Sequence, residues 1–447
     1  YYEVLNECRQ RFIKPVEVHK APCQEIVIEG EEVNLANFPL HVQHALDGAP
    51  YVSASVAIAK DPSRDVYNLG IYRMMYRSRN QTGVDVTAPH KLRFYYLQAC
   101  EMGKPLEVAI ALGLPTLDLL ASVASTPFEV DEYEVLGGFR NEPAELVKCR
   151  TIDLLVPANA EMIFECVMEP DGWVFDEGPY GEFTGTYAGG VKRNPMLTIK
   201  AITHRKGAIF HSATHGGPHI GWTDCHVIYP IIELDLLRAL RAAGLDAKGV
   251  RLIPAAGCNW GVAKIKTLTK GDGKQAALAM LTSTRHGFPK FSIVVDEDID
   301  IFDDEQVYWA MTFRTQPHKD VVILDNMKAI PLDPSLESSQ PPVVTSKMAW
   351  DATIPFDRDR SDFERCYATP FNADLPTKHT ACSAEELDQK MLNLIGENGP
   401  IYFNDMMIEF HGLGHQNILE SFGRLREKRL LGRDDAGRYL LAATGET

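Results

Sequence analysis

Apolar and polar positions follow one another along the chain in several textures. Up to about residue 48 the pattern is polar and irregular: YYEVLNECRQRF reads as a helix, and QEIVIEGEEVNLANFPL as a short strand, a turn and a proline-ended loop. From 49 to 227 short runs rich in β-branched and aromatic residues recur, among them VSASVAIAK, VYNLGIYRMMYRS, EVAIALGLP, EMIFECVMEP and MLTIKAITHRKGAIF. Their even length and close spacing predict a barrel or split barrel with helices such as TLDLLASVAS packed outside. The first two runs, separated by DPSRD, read as a hairpin.

From 228 to 330 the period changes. IIELDLLRALRAAGLD keeps Leu and Ile on one helical face and closes at Gly244. Strand-like and helix-like runs then alternate, which predicts an α/β domain, read as an oligomerisation surface and one wall of a cleft. Residues 331–383 read as a Pro- and Ser-rich linker and a loop-rich return segment. Residues 384–447 read as three helices and a hairpin, a winged-helix-like tail. The fold class expected is α+β: a split β-barrel domain, an α/β oligomerisation domain and a small helical tail.

A length of 447 residues suits two or three domains, and 45% hydrophobic content is ample for their cores. The net charge of -16 argues against a general affinity for nucleic acid or an anionic membrane surface. Arg424, Arg426, Lys428 and Arg429 beside the third tail helix open a DNA-binding reading that this acidity opposes. No run of eighteen apolar residues appears, so no membrane span is expected. Nine scattered cysteines without a CxxC pattern suit reduced thiols and a cytoplasmic protein. The chain opens on Tyr1 without a signal-peptide pattern, and residues upstream of it are allowed for.

Candidate chemistry concentrates in DEGPYGEFTG (176–185). Gly178 and Pro179 suit neither a helix interior nor a paired strand, so a tight loop is expected to hold Glu177 and Glu182 five residues apart. Two carboxylates in one semi-buried site repel, and one of them keeps a proton near neutral pH. The bland alternative is a surface loop with two solvated glutamates. Asn68, His90 and Glu132 offer an amide oxygen, an imidazole and a carboxylate, a set that suits a cation of the Mn/Mg type. Spacing alone does not choose them, and a histidine after Pro89 is as easily a capping residue.

NLGIYR (68–73), APH (88–90), the glutamate before the turn read at LGGFRNEP with ELVKC (145–149), EGPYGEFTG (177–185), VVDEDIDIFD (294–303) and SKMAWDAT (346–353) stand in this order. With them the chain resembles the UbiD-type decarboxylases, which use prenylated FMN, over about residues 50 to 355. The resemblance implies that Asn68, His90 and Glu132 bind the metal, usually manganese, that grips the cofactor phosphate. It implies a potassium ion beside it, touched by backbone around Ala121, Ser122 and Ala124. Arg73, Glu177 and Glu182 match the family's Arg-Glu-Glu network, with Glu182 as proton donor, and Lys347 matches a basic residue near the phosphate. The implied partners are a small carboxylic acid, CO2 and a flavin prenyltransferase as cofactor supplier, with a homodimer or larger homo-oligomer as the assembly.

The stretch 211–227 carries His211, His215, His219 and His226, and His215, Trp222 and His226 are expected to line the substrate pocket. Two rival readings remain open: an FMN-dependent oxidoreductase, and a metallohydrolase using these histidines. Gly216, Gly217 and Pro218 break the helix that would present a zinc site. The acidic run 296–305 reads as a strand end feeding a helix N-terminus. Arg73 must lie beside both glutamates for the enzymatic reading to hold.

Overall fold

Nine antiparallel strands build the larger sheet, in the spatial order Tyr51–Val52, Met74–Ser78, Gln81–Gly83, Met196–His204, Met162–Met168, Leu106–Leu112, Ser55–Lys60, Tyr67–Ile71. The ninth, Ile26–Glu29, pairs with Met196–His204. The two ends of this order are consecutive in sequence twice over, through residues 53–54 and 72–73. Three extended residue steps reach about 11 Å at most. The sheet therefore curls until its edges face each other, a half-barrel rather than a closed barrel. The computed structural model describes residues 2–124, 126–216, 223–283, 287–337, 343–366 and 381–442.

Both faces of the sheet are covered, which explains runs with little polar alternation. Val56, Ile58, Ala109 and Ala111 face one core with Leu119, Tyr133, Leu136 and Phe139. Ala57, Ala59, Val108 and Ile110 face the other with Leu92, Tyr95 and Tyr96 of the helix Lys91–Glu101. The expected hairpin is present between Ser55–Lys60 and Tyr67–Ile71. The run 66–78 is not one strand, however: it breaks at Tyr72–Arg73, where the chain crosses the gap to the opposite edge.

The residues before 49 are built into the domain. The helix Tyr2–Gln10 carries Arg9 to Asp235, and Val16–Glu17 pairs in parallel with Glu145–Lys148. LGGFRNEP, read as a turn, belongs largely to the helix Glu132–Arg140, which ends on Asn141 at φ 59°. Its glycine pair serves close approach: a Cβ on Gly138 would overlap the carbonyl oxygens of Cys8 and Arg11.

The second sheet runs Asp246–Leu252, Trp260–Lys266, Phe291–Asp296, Val344–Asp351, Val321–Lys328. The strand Val344–Asp351 lies within the stretch read as linker and return segment, yet it sits between two strands of this sheet, parallel to Phe291–Asp296. Its alternation is masked because Lys347 points inward and is buried. The preceding helix, Thr223–Ala242, starts ahead of Pro230 and not after it. The acidic run behaves as expected: Asp303 caps the helix Asp304–Phe313 through the amides of Glu305 and Gln306.

Residues 364–447 form a separate compact unit. Its described part holds helices Ala384–Asn398, Phe403–Glu409 and His415–Glu427 and a hairpin of Leu431–Arg433 with Tyr439–Leu441. Met391, Ile395, Met406, Ile418 and Leu425 are its core. Arg424 and Lys428 share Asp388 as partner, and its single negative charge offsets part of the basic cluster considered for DNA. Among the described residues no helix is long and apolar enough to cross a membrane.

Candidate active site

Arg73 sits where the chain crosses the mouth of the half-barrel, and the two glutamates of the 176–185 loop meet it there. Its Nε and Nη2 donate to the two oxygens of Glu177, both at 3.0 Å, and its Nη1 donates to Glu182. Nη2 also pairs with Asp85 at 2.8 Å. The guanidinium lies over the Tyr180 ring, 4.8 Å from its centre. Glu177 also accepts from the Tyr51 hydroxyl at 3.1 Å and from Asn194 Nδ2 at 3.4 Å. Glu177 is fully buried and Glu182 is 3% exposed. A planar guanidinium that binds one carboxylate through two parallel bonds is held in orientation as well as in place.

Burial pushes the Glu182 carboxyl up to about 7, against the opposing pull of Arg73 and Lys192. Arg73 is raised above its usual range by the carboxylates of Asp85, Glu182 and Glu177, which outweigh its burial. Asp85 goes the other way: Arg73 and Lys192 hold its carboxyl well below the ordinary range although it is buried. One proton-holding acid thus stands beside one permanent cation and two carboxylates bonded to it.

The loop is shaped by contacts on both sides. Phe175–Glu177 pairs as a short strand with Lys192–Asn194, which fixes Glu177 at its inner end. Gly178, at φ 97°, faces the backbone of Gly190 with no room for a side chain. Asp47 accepts the Gly181 amide at 2.9 Å, and Gly48 donates to the Pro179 carbonyl at 2.8 Å. His215 reaches the site through Tyr180, its Nδ1 lying 2.7 Å from the phenol oxygen. Burial, with Arg73 and His44 adding, lowers its imidazole to about 3, so it is neutral at physiological pH.

A second polar cluster lies on the edge strand Tyr67–Ile71. Asn68 Nδ2 donates to Glu132 at 2.8 Å, and the same carboxylate accepts the Leu69 amide, the Lys91 ammonium at 2.9 Å and the Thr126 hydroxyl at 2.7 Å. Asn68 Oδ1 is buried without a hydrogen-bond partner, an acceptor left open beside a buried carboxylate. Two such oxygens fit a hard divalent cation. His90 is the N-cap of the helix that begins with Lys91, and its ring stands edge-on to Tyr72. Lys91 shares the carboxylate that a cation would need. Ala121 and Ser122 end the short helix Thr116–Ser122, and the Ala121 carbonyl accepts the amides of Val123 and Ala124.

Of the remaining sequence-expected residues, Lys347 is buried in the second sheet. Its Nζ donates to the carbonyls of Leu281 at 2.9 Å and Gly287 at 2.7 Å, and burial with Lys328 nearby lowers it to about 8. His226 is exposed on the helix Thr223–Ala242, its ring near Tyr229. Trp222 and His219 lie outside the described residues. Among those residues no group of three or more His, Cys, Asp or Glu could hold a metal, which leaves the zinc-hydrolase reading without a site there. Asp85, Tyr51, Tyr180, Asn194 and Lys192 were not singled out from sequence. Only Tyr180, inside the glutamate loop, carried a local signal.

Two family models match the chain. The 3-octaprenyl-4-hydroxybenzoate carboxy-lyase Rift-related domain spans residues 14–218, and the C-terminal domain of the same carboxy-lyase spans 225–352. Among solved structures, the UbiD-class enzyme HmfF from Pelotomaculum thermopropionicum in complex with FMN is 33% identical, with a TM-score of 0.76 over 82% of this chain and 80% of that one. An evolved dimeric form of HmfF with prFMN is 31% identical, with a TM-score of 0.72 over 82% and 79%. The vanillic acid decarboxylase of Sedimentibacter hydroxybenzoicus in closed form is 31% identical, with a TM-score of 0.69 over 88% and 81%.

Proposed function

The chain belongs to the UbiD family of carboxy-lyases, and we propose that it reversibly removes CO2, without net oxidation, from an aromatic, heteroaromatic or α,β-unsaturated acid. The observation that carries this reading is the contact of one buried guanidinium with Glu177 and Glu182 at the mouth of the half-barrel. Loss of CO2 from an sp2 carbon leaves electron density that no side chain can accept, and bound prenylated FMN supplies that sink.

The chain's own groups do the rest. Arg73, held by Glu177 through Nε and Nη2, presents a fixed positive charge that orients the substrate carboxylate. Glu177, tied to Arg73, Tyr51 and Asn194, keeps the guanidinium in plane. Glu182 donates the proton to the carbon that has lost CO2 and takes it up in the reverse direction, worth about two to four decades of rate. Tyr180 and neutral His215 exclude water from one side of Arg73. Asn68 and Glu132, with His90 at the adjoining helix start, would hold the manganese or magnesium ion that neutralises the cofactor phosphate. In the same reading a potassium ion would lie at the helix end of Ala121, Ser122 and Ala124, and Lys347 is kept as a phosphate-side residue on its motif alone, since its Nζ is bonded to the Leu281 and Gly287 carbonyls.

The strong likeness to carboxy-lyases stands against the oxidoreductase reading. Nine free cysteines support a reducing, cytoplasmic setting. The α/β sheet is read as the oligomerisation surface, and the order of three helices and a hairpin supports a winged-helix-like C-terminal unit. The test is production of the protein with a flavin prenyltransferase, then the absorption spectrum, mass and metal content of what is bound, and CO2 release from a panel of acids. A bound prenylated flavin with one divalent ion per chain and release from at least one acid is expected. Unmodified FMN that pyridine nucleotide reduces, without CO2 release, would overturn the reading.

A further inference from the structure

We infer that Asp85 and Lys192, two residues outside the Arg-Glu-Glu set, act as an opposed pair that sets how tightly Glu182 holds its proton. This rests on the reading of Glu182 as the proton donor. Asp85 lies just past the strand Gln81–Gly83, and its Oδ2 is 2.8 Å from Arg73 Nη2 and 3.6 Å from Lys192 Nζ. Its Oδ1 accepts the Thr87 amide at 2.9 Å, so the carboxylate cannot swing away freely. Lys192 opens the strand Lys192–Asn194 and is the register partner of Glu177. Both groups are therefore fixed by the elements that present Arg73 and Glu177. Their side chains are only 14% and 15% exposed, so water screens them poorly.

Charge balance gives the sign. Arg73 and Lys192 are two cations; Glu177, Asp85 and Glu182 are three carboxyls in contact with Arg73. With all three ionised the cluster carries one net negative charge, and with Glu182 protonated it carries none. Of the other groups facing Glu182, Tyr51 and Tyr180 are phenols and His215 is neutral, while Asp47 behind Gly181 and His44 beside it are common to every variant and leave the sign of each substitution unchanged. Asp85 thus favours the protonated form of Glu182 and Lys192 the ionised form. A positioning role alone would give no such opposition.

The test is a carbon NMR titration of the whole chain labelled at the glutamate carboxyl, with the Glu182 signal assigned by Glu182→Gln. The pH dependence of CO2 release by the cofactor-loaded protein is measured in parallel. Asp85→Asn is expected to lower the Glu182 midpoint by about one pH unit and Lys192→Met to raise it by a similar amount. The double variant should return it near the wild-type value, and the alkaline limb of the rate profile should follow. Midpoints that stay fixed, or that move in one direction in both variants, overturn the inference. Opposite NMR shifts in a loaded protein that releases CO2 from no acid would leave the pair assigned and remove the decarboxylase reading instead.

Discussion

Two effects oppose each other at Glu182. Burial disfavours its charge, the Arg73 guanidinium favours it, and burial wins, leaving the carboxyl at about 7. A donor must carry its proton, so product formation should be level below pH 6 and fall toward tenfold per unit above about pH 7. A rate that stays flat to pH 9 would remove Glu182 from the donor role. The stability sign is consistent. The folded carboxyl is raised above its ordinary 4.5, so its contribution is complete below that value and is lost as pH rises through about 7. Arg73, Glu177 and Glu182 were legible because they sit in short motifs of fixed order. Asp85, Tyr51 and Asn194 were not, since each comes from a different strand end and converges only when the sheet curls.

Among elements, the decisive feature is the double crossing of the half-barrel gap at residues 53–54 and 72–73. Strand-forming runs were visible in the sequence, but VYNLGIYRMMYRS shows no sign of its break, because the residues on both sides are equally β-prone. The glycines of LGG misled in the opposite direction. In a helix they normally cost about 1 kcal/mol each relative to alanine. Here they admit the backbone of residues 8 to 13 against the helix Glu132–Arg140. Gly138→Ala should therefore destabilise by about 1–3 kcal/mol, since the atoms met are backbone carbonyls that cannot turn aside. Gly423→Ala, in the helix His415–Glu427 with open space around it, should stabilise its unit by about 0.5–1 kcal/mol. Denaturant midpoints of the two variants check this, and a stabilised Gly138→Ala would show that the approach is looser than described.

On the scale of the molecule, a half-barrel and an α/β sheet make up residues 1–363, and a small helical unit follows. The α+β class and the chain order of these parts were legible from changes in hydrophobic period. The strand Val344–Asp351 was not, because the 47 residues 297–343 of other structure and linker separate it from Phe291–Asp296, its parallel neighbour. Non-local pairing of that kind leaves no local pattern. The acidic whole-chain charge opposes a nucleic-acid reading of the tail, where Asp388 pairs with Arg424 and Lys428.

The central claim is that the acid held beside Arg73 returns the proton after CO2 has gone. It is tested most directly by CO2 release and product protonation in the cofactor-loaded Glu182→Gln protein. The amide keeps the shape and the contact with Arg73 but cannot donate a proton, so turnover should fall by about two to four decades with cofactor content unchanged. Turnover within a few-fold of wild type at equal cofactor content would contradict the account.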